Sequence, residues 1–386
     1  MKTAVFVCFT PFHLLTAYYY GFKIKNHAKR VLIWHDFNNY GIGLERFKEG
    51  FDEICIVPAL SSVSKLRRQY LKCLYAGWLF SFSPIEEVFS SLDMKKTVLF
   101  FFSDQEYVTN KILKKLGNKV EDVVLVEEGL GTYVILSDEI VRDIRWLVYG
   151  LLGGRTEPFI GASKVIKTVF VRKPDQLHEK KVSNRKIVQQ SNFFCDDVWK
   201  EVFQDLWCKL KVNSRYKYLL WLGQPMEEHG ITVERQIILF KEIEKYVSQD
   251  YKIVIKPHPR EDESKYFSFN NYKNHVQVLP KSLQWVPVEI IAPILNPTVV
   301  LTAISSAVSN IIDLGIRCKA VYYYKILGLN FGKQTENVLH VNDNIYFIKK
   351  CEEIKNVLNY EYIPSLINEK NNLSMDVDYL MKAFHE

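Results

Sequence analysis

Short apolar runs alternate with longer amphipathic stretches along the first third of the chain. Their β-branched and aromatic side chains are typical of buried strands. The runs are residues 4–9, 30–34, 53–57, 97–102 and 123–126. After the first run, Thr10 is suited to cap a helix, with Pro11 at the first helical position and residues 12–20 continuing it. Because helical patterns lie between most runs, the sequence predicts a parallel sheet with helices on both faces.

The same alternation restarts in the second half of the chain. Its apolar runs are residues 216–222, 251–255, 299–301 and 319–324, and its clearest amphipathic helix is 233–247. Between the two halves, residues 153–190 are rich in polar side chains and weakly periodic, which favours a linker with an irregular strand pair. We therefore predict an α/β protein of two Rossmann-like domains: residues 1–155, a linker over 156–212, and residues 213–386 with a C-terminal tail.

Length and composition agree with this picture. The chain has 386 residues, whereas single hydrophobic cores stop growing at roughly 250–300 residues. A formal net charge of +7 favours an anionic small substrate or an anionic membrane surface, and no dominant basic stripe indicates a nucleic-acid partner. The seven scattered cysteines form no C-x-x-C pair, so we expect neither disulfides nor a zinc site.

Apolar runs are too short for a signal peptide or for a membrane-spanning helix of about 20 residues. We expect a cytoplasmic protein, free or attached to the cytoplasmic face of the inner membrane. Residues 65–80 interleave Lys and Arg with Leu, Tyr, Trp and Phe, which suits an amphipathic segment resting on an anionic membrane. A domain helix with a basic outer face is the alternative.

Ligands of open α/β sheets bind outside the carboxyl ends of the strands, so two facing domains would place a site in the cleft between them. His258 follows the strand at 251–255 and lies between Pro257 and Pro259, which restrict the loop. There it could donate a hydrogen bond to a leaving phosphate or act as a general acid, with Lys256 adding positive charge. The alternative is a turn histidine with incidental prolines.

Ser305 and Ser306 follow the strand at 299–301 and precede a helix. Two hydroxyls capping a helix that offers free N–H groups would make a phosphate cradle, and plain capping is the alternative. Glu289 opens an apolar helical run, where it could contact a ribose or be favoured by the helix dipole.

Carboxylates at strand ends are candidates for a base that takes a proton from an acceptor hydroxyl. Glu127 and Glu128 follow the strand at 123–126 and precede a glycine loop. Glu228 is a rival, in a loop after the first strand of the second domain. That loop begins with Gly223 and Gln224, which, like Lys256 and Pro259, are candidates for binding the donor nucleotide. For both loops the alternative is an ordinary solvated turn.

Together these features resemble the short motifs of bacterial sialyltransferases with the glycosyltransferase-B fold. The acidic pair with its glycine, the His-Pro pair and the Ser pair occur here in the family order, at 127–129, 258–259 and 305–306. The opening Thr-Pro-Phe-His-Leu at 10–14 is also similar, and the resemblance, over about residues 1–325, is to glycosyltransferase family 52 of lipooligosaccharide and capsule sialyltransferases.

This resemblance implies a cytidine monophosphate (CMP)–sialic acid donor, no metal or other cofactor, and inversion at the anomeric carbon. It implies that His258 meets the donor phosphate, that Ser305 and Ser306 hold it, and that Glu289 contacts the ribose. The expected acceptor is a terminal galactose-type sugar of a surface glycan or glycolipid. A homodimer is one expected form of the protein, and a monomer is the other. The alternatives are a related enzyme for another nucleotide sugar and a non-catalytic nucleotide-binding module.

Overall fold

The computed structural model describes residues 1–35, 42–57, 83–135, 157, 159–210, 212–213, 215–262, 264–266, 275–340, 342–363 and 375–385. The chain forms two compact units. The first comprises Met1–Phe193 together with Lys370–Glu386, and the second comprises Phe194–Glu369.

Seven parallel strands form the sheet of the first unit. They are β1 Lys2–Cys8, β2 Ala28–His35, β3 Glu53–Val57, β4 Thr97–Phe101, β5 Asp122–Val126, β6 Thr168–Val171 and β7 Lys186–Gln189. Their order is β3-β2-β1-β4-β5-β6-β7, and every pairing is parallel. The central strands are buried on both faces, as their continuous apolar runs predicted.

The second unit repeats the arrangement with six parallel strands. They are β8 Lys217–Leu222, β9 Tyr251–Lys256, β10 Val276–Val278, β11 Val299–Thr302, β12 Lys319–Tyr322 and β13 Ile345–Phe347. The order β10-β9-β8-β11-β12-β13 corresponds to 3-2-1-4-5-6 counted within the unit, which is the Rossmann order. The first sheet has the same order with one further strand. The prediction of two Rossmann-like domains is confirmed.

Helices connect the strands of both sheets. They are α1 Pro11–Lys23, α2 Ser83–Ser90, α3 Tyr107–Leu116, α4 Leu130–Tyr133, α5 Glu179–Val182, α6 Val198–Val202, α7 Gln204–Lys209, α8 Val233–Glu244, α9 Lys281–Gln284, α10 Val288–Leu295, α11 Ala307–Asp313, α12 Gly332–Leu339, α13 Glu353–Asn359 and α14 Met375–His385. The predicted cap of α1 is present, since Thr10 Oγ1 accepts a hydrogen bond from the peptide N–H of His13 at 3.2 Å.

The limits of the two units differ from the predicted segments. Strands β6 and β7, inside the predicted linker over 156–212, extend the first sheet. Helix α14, inside the predicted C-terminal domain, belongs to the first unit, where Asp376 Oδ2 accepts hydrogen bonds from the Tyr20 hydroxyl at 2.9 Å and from Ser191 N and Oγ at 3.1 and 3.0 Å. Periodicity missed β7 because only one of its four residues is buried.

Candidate functional site

Three loops meet at the carboxyl edge of the second sheet. Strand β8 lies between β9 and β11, so the segments that follow them are neighbours. These segments carry Gly223 and Gln224, then His258, then Ser305 and Ser306. The fold thus places the sequence-predicted donor residues at the edge where Rossmann-like sheets bind ligands, on both sides of the point where the strand order reverses.

Hydrogen bonds hold the backbone and one ring nitrogen of His258. Its peptide N–H donates to Glu261 Oε2 at 2.7 Å, and its carbonyl oxygen accepts from Gln284 Nε2 at 2.6 Å. Nδ1 accepts from the peptide N–H of Arg260 at 3.1 Å, which assigns the proton of the neutral ring to Nε2. Desolvation lowers the pKa of His258, and the positive charges of nearby Arg and Lys side chains lower it further. The half-buried ring therefore offers a neutral N–H donor.

Gly223 allows the β8 loop to approach the His258 loop closely. Its N–H donates to the carbonyl oxygen of Lys256 at 2.9 Å. A Cβ at this position would lie 2.2 Å from Glu261 Oε2, 2.5 Å from the Tyr266 hydroxyl and 3.1 Å from the peptide nitrogen of His258. Because such distances are well inside van der Waals contact, a larger residue would displace the groups that hold His258.

Lys256, the last residue of β9, also stabilises the His258 loop. Its buried ammonium group donates to the carbonyl oxygens of Gln284 at 2.9 Å and Pro257 at 3.5 Å. Burial lowers the pKa of Lys256 to about 8, and the nearby carboxylates Glu289 and Glu261 partly oppose this shift. Lys256 thus contacts the main chain of the loop that contains His258 and Pro259.

Ser305 and Ser306 play different parts at the start of α11. Ser305 Oγ accepts from the peptide N–H of Ala307 at 3.3 Å, and the Ser305 carbonyl oxygen accepts from the Tyr322 hydroxyl at 3.1 Å. Ser306 occupies the N-cap position, but its side chain makes no capping hydrogen bond. The expectation that both hydroxyls cap the helix is therefore wrong for Ser306. Both residues are half-buried.

The remaining candidates in the second unit are two carboxylates in contrasting surroundings. Glu289, in the first turn of α10, is buried and accepts a hydrogen bond from Asn310 Nδ2, which connects α10 to α11. Glu228 is exposed, and its carboxylate oxygens lie 2.8 and 3.1 Å from one guanidinium nitrogen of Arg260. Gln224, two residues after the end of β8, is half-buried.

The acidic pair lies at the carboxyl end of β5 in the first unit. Glu127 is fully buried, with its carboxylate bonded to the guanidinium of Arg172, the hydroxyl of Tyr133 and, at 2.8 Å, the peptide N–H of Arg172. Glu128 keeps 28% of its side chain exposed, and its Oε1 lies 4.0 Å from His13 Nε2. The two neighbouring side chains thus differ in exposure, and of the Glu128 carboxylate the Oε2 atom is itself buried.

Lys181 supports the acidic loop, a role that the sequence did not predict. Its buried ammonium group donates to the carbonyl oxygens of Gly131, Thr132 and Val134 at 2.8, 3.0 and 3.1 Å, at the end of α4. Burial lowers the pKa of Lys181 to about 8. Gly129 turns the chain with a φ of 137°, which glycine adopts readily. Lys181 lies in the weakly periodic segment, so no local pattern indicated this contact.

Two further predictions concern membrane association and metal binding. The proposed membrane segment at 65–80 lies outside the described residues. Within the described part of the chain, no helix has the length and apolar character to cross a membrane. Among the same residues, no group of three or more His, Cys, Asp or Glu side chains is placed to hold a metal ion.

Two Rossmann-like domains, each built on a parallel sheet, define the fold class of the protein. The family model described as alpha-2,8-polysialyltransferase (POLYST) matches residues 4–312. The chain belongs to this family and is therefore a sialyltransferase-type glycosyltransferase. The narrower assignment to glycosyltransferase family 52 is not confirmed, and no curated protein sequence matches the chain.

Solved structures with the same fold cover nearly the whole chain. Arabidopsis thaliana UGT89C1 complexed with UDP has a TM-score of 0.59 at 11% identity and covers 100% of both chains. S. aureus MnaA with UDP has a TM-score of 0.56 at 11% identity, covering 100% of this chain and 98% of the other. The α/β-galactoside α-2,3-sialyltransferase of Photobacterium phosphoreum has a TM-score of 0.53 at 15% identity, covering 90% of this chain and 98% of the other. At these identities the likeness establishes the fold.

Proposed function

We propose that the protein transfers sialic acid from CMP–sialic acid to a glycan or glycolipid acceptor, with inversion and without a metal ion. The observation that carries this proposal is the His258 ring at the end of β9, which accepts through Nδ1 and therefore carries its N–H donor on Nε2. Ser305 and Ser306 follow β11, two strands away from β9 in the same sheet. Membership of the polysialyltransferase family supports the choice of sugar.

The chemistry of CMP–sialic acid explains why hydrogen-bond donors near its phosphate would accelerate the reaction. As the bond between the anomeric carbon and the phosphate oxygen breaks, its electron pair stays on CMP and negative charge grows there. A fixed N–H at His258 and hydroxyls at Ser305 and Ser306 would stabilise this charge more in the transition state than in the ground state. Removing one such donor typically costs about 10²–10³ in turnover.

We propose Glu128 as the base that takes the proton of the acceptor hydroxyl. It is the more exposed member of the acidic pair, whereas Glu127 already accepts hydrogen bonds from Arg172 and Tyr133. Glu228, whose exposed carboxylate is paired with Arg260 in the second unit, is the alternative base. As the acceptor oxygen bonds to the anomeric carbon, its proton would pass to Glu128, and the resulting carboxylic acid would return the proton to water.

The acceptor we propose is a glycan that already ends in sialic acid. The description of the matched family names an α-2,8 polysialyl product, which requires a sialic acid at the growing end. The terminal galactose-type sugar predicted from the sequence is the second candidate, and the galactoside α-2,3-sialyltransferase among the neighbours supports it. Location at the cytoplasmic face of a membrane belongs to the same proposal, because surface glycans are built on lipid carriers.

A nucleotide panel and an acceptor panel test the proposal together. CMP should raise the melting temperature more than UDP or GDP, because a ligand that binds only the native state stabilises it by about 2.7 kcal/mol at 100 times its dissociation constant. CMP–sialic acid with an oligosialic acceptor should yield a longer chain, and lactose should yield little. Equal stabilisation by all three nucleotides, or transfer from a UDP-sugar, would overturn the donor. Preferred transfer to lactose would overturn only the proposed acceptor and would leave CMP–sialic acid as the donor.

A further inference from the structure

His13 is a histidine in the core of the first unit whose ring lies beside the acidic pair. It occupies the first turn of α1, directly after β1, and only 1% of its side chain is exposed. The ring stacks on Phe102, with centroids 4.2 Å apart and planes 4° apart, and meets Phe9 edge-on at 4.3 Å. This aromatic slot, together with the bond of its peptide N–H to Thr10 Oγ1, fixes the orientation of the imidazole.

The polar atoms of this ring have a specific environment. Nε2 is directed at Glu128, with 4.0 Å between Nε2 and Oε1. Nδ1 is buried and has no hydrogen-bond partner among the residues that the structure describes. Leaving a buried polar atom unbonded costs free energy, and a phenylalanine would fill the same slot without that cost. Packing therefore does not account for an imidazole here, whereas a contact with Glu128 does.

We propose that His13 is a positioning residue for Glu128: its Nε2–H donates to Oε1 and fixes the orientation of the carboxylate relative to the acceptor hydroxyl, while Oε2 is buried. This inference rests on the proposed function, in which Glu128 is the base. The Nε2–Oε1 separation has to shorten by about 1 Å to form a normal hydrogen bond, and apo geometries are often looser than those of the reacting complex. His13 keeps its proton throughout, and the acceptor proton moves only to Glu128.

The surrounding charges determine the direction of the expected pH effect. Lys181 exerts an attractive field on Glu128, while Glu127 is paired with Arg172. Burial lowers the pKa of His13 well below its usual value, so the ring donates as a neutral group. A donated hydrogen bond favours the ionised carboxylate. Without it, a higher pH is needed to ionise Glu128, and the acidic limb of the pH–rate profile moves upward.

Two substitutions separate the donor from the packing. His13→Phe keeps an aromatic ring between Phe9 and Phe102 but removes the N–H, while His13→Gln restores a donor near the position of Nε2. His27→Phe is the matched control, since His27 lies after α1 at the opposite edge of the sheet. Turnover, the KM of the acceptor, CMP affinity, melting temperature and the pH–rate profile are measured for each variant with CMP–sialic acid and an oligosialic acceptor.

We expect His13→Phe to lower turnover about 10-fold or more, to move the acidic limb upward, and to leave CMP affinity within about 2-fold; His13→Gln should recover most of the turnover. Normal turnover and an unshifted pH–rate profile in His13→Phe would overturn the inference. It would also be overturned if turnover in His13→Gln were as low as in His13→Phe.

If His13→Phe fails to fold, the pH–rate profile of His13→Gln decides the question. An acidic limb like that of the natural protein supports the donor role of His13, and a shifted limb opposes it. Full activity in Glu128→Gln would instead overturn the proposed base.

Discussion

Arg172 holds the carboxylate of Glu127 inside the first unit, with its guanidinium on Oε1 and its peptide N–H on Oε2 at 2.8 Å. Arg172 directly follows β6, and Glu127 directly follows β5, so the pair connects two adjacent strands at their carboxyl ends. The next residue, Glu128, keeps 28% of its side chain exposed and is therefore the more exposed residue of the acidic motif.

The first prediction separates the two carboxylates by stability and activity. Glu127→Gln leaves the Arg172 guanidinium, only 13% of whose side chain is exposed, without its carboxylate, so we expect a loss of about 3 kcal/mol of unfolding free energy. Glu128→Gln should lower turnover by at least about 10²-fold, while melting temperature and CMP affinity stay near normal because the base contacts only the acceptor. Thermal melts and transfer kinetics check both variants, and near-normal turnover in Glu127→Gln, Glu128→Gln and Glu228→Gln alike would refute an acidic base.

The second prediction concerns the donor groups of the second unit. His258→Ala should lower turnover by at least about 10²-fold. Ser305→Ala combined with Ser306→Ala should weaken CMP binding without abolishing it, because the backbone N–H groups that follow β11 remain. His275→Gln, at the amino end of β10, serves as the control. Calorimetric CMP affinity that is unchanged in the double variant would contradict the assignment of the serines.

The third prediction tests the close approach of β8 to the His258 loop. Gly223→Ala places a methyl group 2.2 Å from Glu261 Oε2, so the loop must move. We expect a loss of about 1–3 kcal/mol of stability together with weaker donor binding. Gly43→Ala is the matched control, since nothing lies within 4 Å of the added Cβ. Normal CMP affinity and melting temperature in Gly223→Ala would show that the loop tolerates the displacement.

The fourth prediction is that activity survives a strong chelator. The proposed charge stabilisation comes from His258, Ser305 and Ser306, so removal of divalent cations should leave the rate of sialic acid transfer unchanged. The measurement is the transfer rate after dialysis against the chelator. Loss of activity with recovery on adding magnesium or manganese would show that a metal ion takes part.

The fifth prediction follows from the burial of His13. Burial lowers the pKa of His13 below its value of about 6.5 in the unfolded chain. Below about pH 6.5 the unfolded state therefore binds a proton that the native state does not, and the free energy of unfolding falls by up to about 1.4 kcal/mol per pH unit. In His13→Phe this contribution is absent, so its melting temperature should decline less between about pH 6.5 and 5. Parallel declines in both proteins would contradict it.

The sequence predicted the fold well where burial leaves a local pattern. Continuous apolar runs predicted the central strands because these strands are covered on both faces. Short edge strands such as β10 and β13 were missed because each has only three residues, and most of these are partly exposed. The strand-end positions of His258 and Ser305 were also predictable, since a loop residue takes its place from the strand before it.

The sequence by itself determined that the chain alternates strands and helices in two series and which polar residues follow the strands. Only the tertiary structure decided that Glu127 is paired with Arg172 while Glu128 is more exposed, that the ring of His258 carries its proton on Nε2, and that α14 packs on the first unit. The physical reason is that periodicity reports how one element is buried. Ion pairs and hydrogen bonds, in contrast, join groups far apart in the chain, as Asp376 and Tyr20 are, and become visible only when the sheets bring them together.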